Sequence, residues 1–352
     1  MSPGDVRSKL ARLLAGRLGE TAGASDVRAR LRARGAAARA EPPADLVPEC
    51  AGSVLARRTV FDADSSHGAW RLAEALGADS CASALLTRDP ALAGVDLEKA
   101  LFLDTETSGL SGGAGTWVFL VGLGSFEASG SGSSKFVVWQ GFLAEPAAER
   151  ALLAVVAEKI ASATAVVSFF GKSFDRHRLE DKMRLHGIAP PFAGRPHLDL
   201  YHPLRRLYRP RLGDGFDDAR LRTLERELCG VVRHDDLPGA LAPAAWFDFL
   251  HGRPHELEGV FRHNRDDVLS LVTLAAHLAR TLVETRAGGG ALEGPAAPRA
   301  RALARAWLEA RDPRESLAWF ERARERSGGA LPEPWARLSE RARRRAERAS
   351  AP

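Results

Sequence analysis

The sequence predicts a mixed α/β domain, in which helices flank a mixed sheet, followed by a small all-α tail. Strand-like apolar segments occur at residues 101–107, 116–127, 135–143 and 165–170. A Gly/Ser-rich stretch at 128–134 joins the second and third segments, as in an antiparallel hairpin. From residue 299 onward the apolar pattern has helical spacing only. The element order β-β-β-α-β-α in the centre therefore indicates one layered α/β domain.

Helical periodicity fills the spaces between and after the strands. We predict helices over 146–161, 173–186 with Ser173 as the N-cap, near 199–208, near 220–229, and over about 255–284. Pro/Gly-rich stretches at 35–47 and 286–298 are typical of linkers. The predicted organisation has four parts: an Arg-rich helical or flexible N-terminal extension with its linker at 1–47, the main domain at 48–285, a linker at 286–298, and a helical tail at 299–352.

Charge is unevenly distributed along the 352 residues, whose formal net charge is +5. Residues 1–45 contain nine Lys and Arg against five Asp and Glu, and residues 297–352 contain fourteen Arg against eight acids. Basic ends suit an anionic partner such as nucleic acid, although solvated Arg-rich helices would show the same pattern.

The cysteines and the apolar segments indicate in which cellular compartment the protein is expected. The three cysteines, Cys50, Cys81 and Cys229, form no C-x-x-C motif, which favours reduced thiols in a reducing compartment. The N-terminus has no apolar signal-peptide core, and the apolar run at 117–123 is too short to span a bilayer. We therefore expect a soluble, cytoplasmic protein without a membrane partner.

Two acids interrupt the first predicted strand. Asp104 and Glu106 are two residues apart, so both point to the same face, directly after the apolar residues 101–103. Burying two like charges is costly unless a cation compensates them, and Mg²⁺ and Mn²⁺ prefer such oxygen ligands. An exposed edge strand is the alternative, and the preceding apolar run argues against it. The pattern predicts a metal site.

Two further acids lie on predicted helices. Asp175 falls in the first turn after the fourth strand, where the helix dipole favours an anion. In the long helix, His263 and Asp267 share the apolar stripe that continues through Leu271, whereas Asp266 falls on the polar face with Ser270. An ordinary first-turn Asp and a satisfied core histidine are the alternatives for Asp175 and His263.

These motifs together resemble a known family. Residues 104–110 (DTETSGL), 168–175 (SFFGKSFD) and 263–268 (HNRDDV) resemble, in this order, the three motifs of the DEDD superfamily of 3′–5′ exonucleases. More closely, residues 101–124, 171–180, 197–208 and 263–274 resemble the bacterial YprB-like family, with an RNase H-like domain and a TPR-like tail. The resemblance covers about residues 48–285 and the general character of the tail.

The resemblance implies a fold, a reaction and a set of site residues. It implies an RNase H-like fold and a two-metal hydrolysis of phosphodiester bonds in single-stranded DNA or RNA, with two Mg²⁺ or Mn²⁺ ions held by Asp104, Glu106, Asp175 and Asp267. His263 stands four residues before the last Asp, where one branch of the superfamily has Tyr, and would act as general base if its pKa is near the ordinary value. Asp199 matches a family motif and is expected beside the ligands or among them. Phe170 stands where relatives often carry Asn.

The sequence also offers candidates for partner contacts and leaves two alternative functions open. Lys172, Arg176, Arg205 and Arg206 are candidates for phosphate contacts, with surface charge as the alternative for each. The C-terminal helices are candidates for binding a protein partner. A non-catalytic binding module with the same fold and a structure-selective endonuclease are the alternative functions.

Overall fold

A computed structural model describes residues 41–350, with gaps at 44, 50–53, 110–114, 129–133, 209–214 and 288. The predicted N-terminal helices at residues 1–34 lie outside the described residues, as does Cys50. Among the cysteines that are described, Cys81 is exposed and Cys229 is buried, and both are free thiols.

The described residues form one seven-stranded mixed sheet and a small hairpin. The sheet strands are β1 (Val47–Glu49), β2 (Val54–Asp62), β5 (Ala100–Thr107), β6 (Val118–Ala128), β7 (Ser134–Phe142), β8 (Ala165–Ser168) and β9 (His197–Asp199), and the hairpin strands are β3 (Ser66–His67) and β4 (Trp70–Arg71). Their order in the sheet is β1-β2-β7-β6-β5-β8-β9. Strands β1, β2, β7, β6 and β5 pair antiparallel, whereas β5, β8 and β9 are parallel. The predicted mixed sheet is confirmed, and the predicted β6–β7 hairpin is present.

Strand β2 is an addition to the predicted sheet. It pairs with β7 from Leu55 opposite Phe142 to Asp62 opposite Lys135. Its first half is buried and its second half alternates between half-buried and exposed residues. Such a strand covers the edge that β7 would otherwise present to solvent.

Ten α-helices and five short 3₁₀ turns surround the sheet in the described ranges. The α-helices are α1 (Cys81–Thr87), α2 (Glu149–Ser162), α3 (Asp175–Leu185), α4 (Tyr201–Tyr208), α5 (Leu221–Cys229), α6 (Ala242–Leu250), α7 (Leu257–Ala279), α8 (Ala296–Glu309), α9 (Pro313–Arg326) and α10 (Glu333–Ser350). The 3₁₀ turns are Leu72–Ala75, Pro90–Leu92, Leu97–Lys99, Pro146–Ala148 and Gly239–Leu241. The predicted N-cap at Ser173 is wrong, because α3 begins at Asp175 after Phe174, and no side chain caps it.

The two faces of the sheet bury different residues and carry different helices. On β5, Leu101 and Leu103 belong to the apolar cluster that contains α2, α3 and α6, whereas Phe102 belongs to the cluster that contains α4, α5 and most of α7. This alternation follows from the period of two residues along a strand. Asp104 and Glu106 have the parity of Phe102 and therefore point toward α7.

Helix α7 is the central helix of its layer, and one prediction about it is wrong. The polar face expected to contain Ser270 is not solvated there, because Ser270 is completely buried. From Val268 to Ala279 every residue is buried, since the sheet packs on one side and α5, α1 and the turn at Leu72–Ala75 pack on the other. None of the described helices combines the length and the apolar character needed to cross a membrane.

The tail packs on the same layer as α7. Helices α8 and α9 form a hairpin, and α8 contacts α4 and α1. Leu303 and Phe320 are completely buried within the cluster that contains Leu271 of α7. Helix α8 begins at Ala296, three residues inside the predicted linker. The TPR-like character of the tail and the predicted domain boundaries stay predictions.

A buried histidine beneath the tail gives a prediction about pH. His277 of α7 is completely buried, and its Nε2 lies 2.6 Å from the hydroxyl oxygen of Tyr208. Burial, with the charges of Arg299 and Arg286, lowers the pKa of His277 to about 3. In the unfolded chain His277 binds a proton near pH 6.5, whereas in the folded chain it stays neutral until about pH 3. Its contribution to the free energy of unfolding is therefore fully present above pH 6.5 and is lost as the pH falls toward 3.

We expect His277→Gln to reduce the pH dependence of stability between pH 6.5 and 4.5. His277 contributes a slope of up to about 1.4 kcal/mol per pH unit to the free energy of unfolding in this range. Urea unfolding at several pH values measures the slope for the wild type and the variant. His177→Gln, which replaces an exposed histidine of α3, is the control and should keep the wild-type slope. Equal slopes for wild type and His277→Gln would contradict the prediction.

Candidate active site

The predicted site residues meet where the parallel strands end. Asp104 and Glu106 lie near the carboxyl end of β5. Asp175 is the first residue of α3, which follows β8, and Asp199 is the last residue of β9. Asp267 reaches the same edge from α7. Ligands of open α/β sheets bind at the carboxyl ends of strands, so the position suits a functional site.

Asn264 connects Asp104 to α7. Its Nδ2 donates to Oδ2 of Asp104 at 2.9 Å, and its Oδ1 accepts from Nε2 of Gln140 at 2.9 Å. Gly122 of β6 lies opposite Asp104. A Cβ on Gly122 would lie 2.3 Å from Oδ1 of Asn264, so the glycine leaves the space that the amide fills. Asp267 is three residues after Asn264 and therefore neighbours it on the helix surface.

Asp104 is the centre of a crowded set of carboxylates. Burial is the largest cause that raises the pKa of Asp104 well above its ordinary value. The charges of Asp267, Asp175 and Glu106 add to this effect, and the hydrogen bond from Asn264 opposes it. The other three predicted ligands are thus within electrostatic reach of Asp104.

Asp175 and Glu106 are buried members of this set, with 5% and 9% of their surface exposed. Thr105 lies between Asp104 and Glu106 and points to the opposite face of β5, where its hydroxyl donates to Oδ1 of Asp175 at 2.5 Å. The strand therefore supplies two carboxylates from one face and holds a third from the other.

Asp267 is bound to Arg233, a residue in the segment between α5 and α6. The guanidinium Nη1 of Arg233 lies 2.6 Å from Oδ1 of Asp267. The Arg233 side chain is 5% exposed and also forms a pair with Glu225 of α5. A buried guanidinium thus offsets part of the negative charge of the site.

His263 is paired with an acid that the sequence did not single out. Its Nδ1 donates to Oδ1 of Asp236 at 2.7 Å. Burial lowers the pKa of His263, but Asp267, the bond to Asp236 and Glu106 outweigh burial and raise the pKa to about 10. An imidazole with this pKa carries its proton at neutral pH. The role of His263 as general base stays a prediction, because a cation at Asp267 and Glu106 would offset charges that raise this pKa.

Asp199 organises the loop that leads to Asp175. Its carboxylate accepts from the backbone N–H groups of Phe170, Lys172 and Tyr201 at 2.7, 3.1 and 3.1 Å. Phe170 has a φ of 61°, in the left-handed region that costs a residue with a Cβ about 1–2 kcal/mol. Asn tolerates this conformation better than Phe, so Phe170 is held there against its own preference. The contacts place Asp199 as a residue that positions the loop.

The orientation of the four carboxylates bears on whether they can hold a metal ion. As the side chains are oriented in the part of the chain that the structure describes, no group of three or more His, Cys, Asp or Glu is arranged to hold a metal ion. Asp104, Asp175 and Asp267 are engaged by Asn264, Thr105 and Arg233, respectively. The donor chemistry nevertheless fits a hard divalent cation, because such an ion would offset the charges of Asp267, Asp175 and Glu106 that, together with burial, raise the pKa of Asp104.

The predicted phosphate contacts lie in different surroundings. Lys172 is half-buried beside the site loop, and its Nζ is 4.0 Å from Asp89. Arg176 donates to Glu180 at 2.7 Å and is thereby engaged on α3. Arg205 and Arg206 of α4 are exposed. Burial and the charges of Arg88 and Arg305 lower the pKa of Arg206, and Glu309, which pairs with both of those arginines, opposes the shift.

Comparison with known proteins agrees with this geometry. A sequence profile of the RNase H superfamily matches residues 101–279, which include all four carboxylates. The chain belongs to the RNase H superfamily. It is also similar to a protein of Bacillus subtilis (strain 168), the uncharacterized protein YprB, with 34% identity over 192 residues. The match covers 54% of this chain and 44% of that protein, so the chain spans less than half of the relative's length.

Membership of the RNase H superfamily confirms the predicted fold class and family. It supports a nuclease-type function and nucleic-acid binding, and nucleases of this superfamily generally use divalent metal ions. The individual site residues, the identity of the ions and the direction of cleavage stay predictions.

Several residues of this site were not predicted from the sequence. They are Thr105, Gln140, Glu225, Arg233, Asp236 and Asn264. Thr105 and Asn264 lie inside the predicted motifs, so their positions were a usable signal. Arg233 and Asp236 belong to a run of charged residues between two helices, where no periodicity indicates which side chains point inward.

We expect Gly122→Ala to destabilise the protein by about 1–3 kcal/mol, which is typical of overpacking a buried site. The added methyl group would displace Asn264, which is completely buried and is held by both Gln140 and Asp104. Urea unfolding measures the change. Gly94→Ala is the matched control, since no atom lies within 4 Å of a Cβ at that position. Wild-type stability of Gly122→Ala would show that this packing does not constrain the site.

Proposed function

We propose that this chain is a metal-dependent nuclease that hydrolyses phosphodiester bonds from the 3′ end of single-stranded DNA or RNA. The observation that carries the proposal is the convergence of three acids on Asp104. Burial and the charges of these three acids raise the pKa of Asp104, and a bound hard cation would offset that cost. A purely structural role would not require four acids from three separate chain segments at one sheet edge.

Asp104, Glu106, Asp175 and Asp267 would hold two Mg²⁺ or Mn²⁺ ions. When bound, such ions lower the pKa of water to supply hydroxide and stabilise the leaving oxygen. The protein's own part is to fix the carboxylates: Asn264 orients Asp104, Thr105 orients Asp175, and Asp199 holds the loop between β8 and α3. His263, whose Nδ1 is held by Asp236, faces Asp267 with its Nε2 at 3.7 Å.

The strand would reach this site over a basic surface. Lys172 lies in the loop before Asp175, and Arg205 and Arg206 are exposed on the neighbouring helix α4. Cations at these positions contact phosphates without reading sequence, which suits a nuclease with broad substrate choice. Arg305 of the tail also lies within electrostatic reach of Arg206, and it is paired with Glu309. A protein partner for the C-terminal helices stays a prediction.

We expect Asp104→Asn and Asp267→Asn to lower the cleavage rate of 5′-labelled single strands with Mn²⁺ by at least about 100-fold. The reason is that changes to neighbours of metal ligands alone typically cost 10- to 100-fold. Asp104→Asn should keep the wild-type stability without metal, because it removes a charge that three acids oppose.

Asp266→Asn is the matched control for these variants. Asp266 neighbours Asp267 on α7 and pairs with Arg265 at 2.7 Å, so its loss should change the rate by no more than about twofold. If Asp104→Asn and Asp267→Asn cut as fast as Asp266→Asn, the site is not the nuclease centre. A folded wild type that binds single strands and does not cut them would identify a non-catalytic binding module.

Linear and circular single strands separate the two modes of cleavage. We expect the wild type to shorten linear strands from the 3′ end, with release of mononucleotides, and to leave circular strands of the same sequence intact. The products are resolved on a denaturing gel with 5′-labelled DNA and RNA, and Asp104→Asn is the control for contaminating nucleases. Linearised circles would identify an endonuclease that uses the same carboxylates.

A further inference from the structure

Arg233 is a buried arginine that joins one predicted metal ligand to a second helix. Its Nη1 lies 2.6 Å from Oδ1 of Asp267. Its Nε and Nη2 donate to the two carboxylate oxygens of Glu225 at 2.7 and 2.6 Å. The guanidinium therefore bridges α5 and α7, with one edge on each acid.

The Glu225 side of this bridge is rigid. Glu225 has 1% of its side chain exposed, and the hydroxyl of Ser270 donates to its Oε2 at 2.5 Å. His67 lies 2.8 Å from the same hydroxyl and adds a further polar contact. A two-bond pair between a guanidinium and a carboxylate fixes the plane of both groups. Arg233 thus has little freedom to leave Asp267 while Glu225 stays in place.

One oxygen of Asp267 lies outside the bridge to Arg233. Oδ1 of Asp267 bonds to Arg233, whereas Oδ2 faces Nε2 of His263 at 3.7 Å, which is ion-pair distance but beyond hydrogen-bond distance. The Asp267 side chain is 14% exposed, so it is not sealed from solvent. A carboxylate that is held by one oxygen can offer the other to a cation in a defined direction, as hydrogen-bonded metal ligands generally do.

We propose that Arg233 is a positioning residue of the metal site: anchored by Glu225, it orients Asp267 through Oδ1 so that Oδ2 is offered to a divalent cation. The inference rests on the proposed function. The opposite role, a guanidinium that blocks Asp267 and must leave before metal binds, conflicts with the rigid anchor at Glu225. The two roles predict opposite changes in metal affinity when Arg233 is replaced.

The test measures Mn²⁺ binding to the full chain by calorimetry, without nucleic acid. We expect Arg233→Lys to weaken Mn²⁺ binding by 10- to 100-fold, the usual effect of changing a group that orients a ligand. Lysine keeps the positive charge, but its ammonium group cannot form the planar two-bond pair with Glu225 and also contact Asp267. Arg222→Lys is the matched control, because Arg222 is 63% exposed and lies 3.6 Å from Asp236. It should bind Mn²⁺ within about twofold of the wild type.

A second variant protects the test against misfolding. Glu225→Gln keeps the shape of the anchor and removes its charge, so it should also weaken Mn²⁺ binding. Combining it with Arg233→Lys should add less than the sum of the single effects, because both changes break one bridge. Thermal unfolding in EDTA identifies which variants are folded.

Three results would overturn the role proposed for Arg233. Tighter Mn²⁺ binding by Arg233→Lys would overturn the proposal in favour of a blocking arginine. Wild-type affinity in folded Arg233→Lys and Glu225→Gln would also overturn it, while the proposed nuclease function would stand if Asp104→Asn abolishes binding. A wild type that binds no Mn²⁺ would overturn both proposals.

Discussion

The constraint on which the site depends is electrostatic: four carboxylates share one edge of a sheet, in and beside an apolar core. Burial and the charges of its neighbours raise the pKa of Asp104 well above its ordinary value. Such an arrangement persists only if surrounding groups donate hydrogen bonds or positive charge. The structure supplies an amide from Asn264, a hydroxyl from Thr105 and a guanidinium from Arg233. The compensation is specific to each acid, so the neighbours also fix where the carboxylates point.

The fold brings these groups together through close packing of α7 against the sheet. Asn264 can reach Asp104 because the opposing residue on β6 is a glycine, and Gln140 on β7 holds the other end of the amide. On the far side of β5, the end of β8 and the loop held by Asp199 deliver Asp175. The acids therefore come from a strand, a helix start and a helix interior, and the sheet determines their separation.

The sequence predicted this arrangement where one periodicity decided it. The spacing of two between Asp104 and Glu106 placed both on one face of β5, and the structure places them toward α7. In α7 the period of 3.6 residues was less informative. It put His263 in the buried stripe and said nothing of Asn264, yet Asn264 is completely buried and His263 is partly exposed. The expected polar face of α7 failed for a related reason, since layers on both sides bury a helix irrespective of its pattern. The contacts of Arg233 could not be predicted, because its segment lacks periodicity and its partner Asp267 is distant in sequence.

The tail supports the site, because its first two helices belong to the apolar cluster around the helix that carries Asn264 and Asp267. Arg299 of α8 is 3% exposed and lies 3.3 Å from Glu284, which follows α7, and Arg326 of α9 reaches the same acid at 2.6 Å. The apolar residues of this hairpin lie in the cluster that surrounds the second half of α7. Because the first half of α7 carries Asn264 and Asp267, a hairpin that holds the second half also holds the helix that positions them. Helix α10 differs, since most of its side chains are exposed and its arginines pair with acids on the same helix. Packing therefore ties α8 and α9 to the layer that contains α7 and leaves α10 as the most exposed part of the tail.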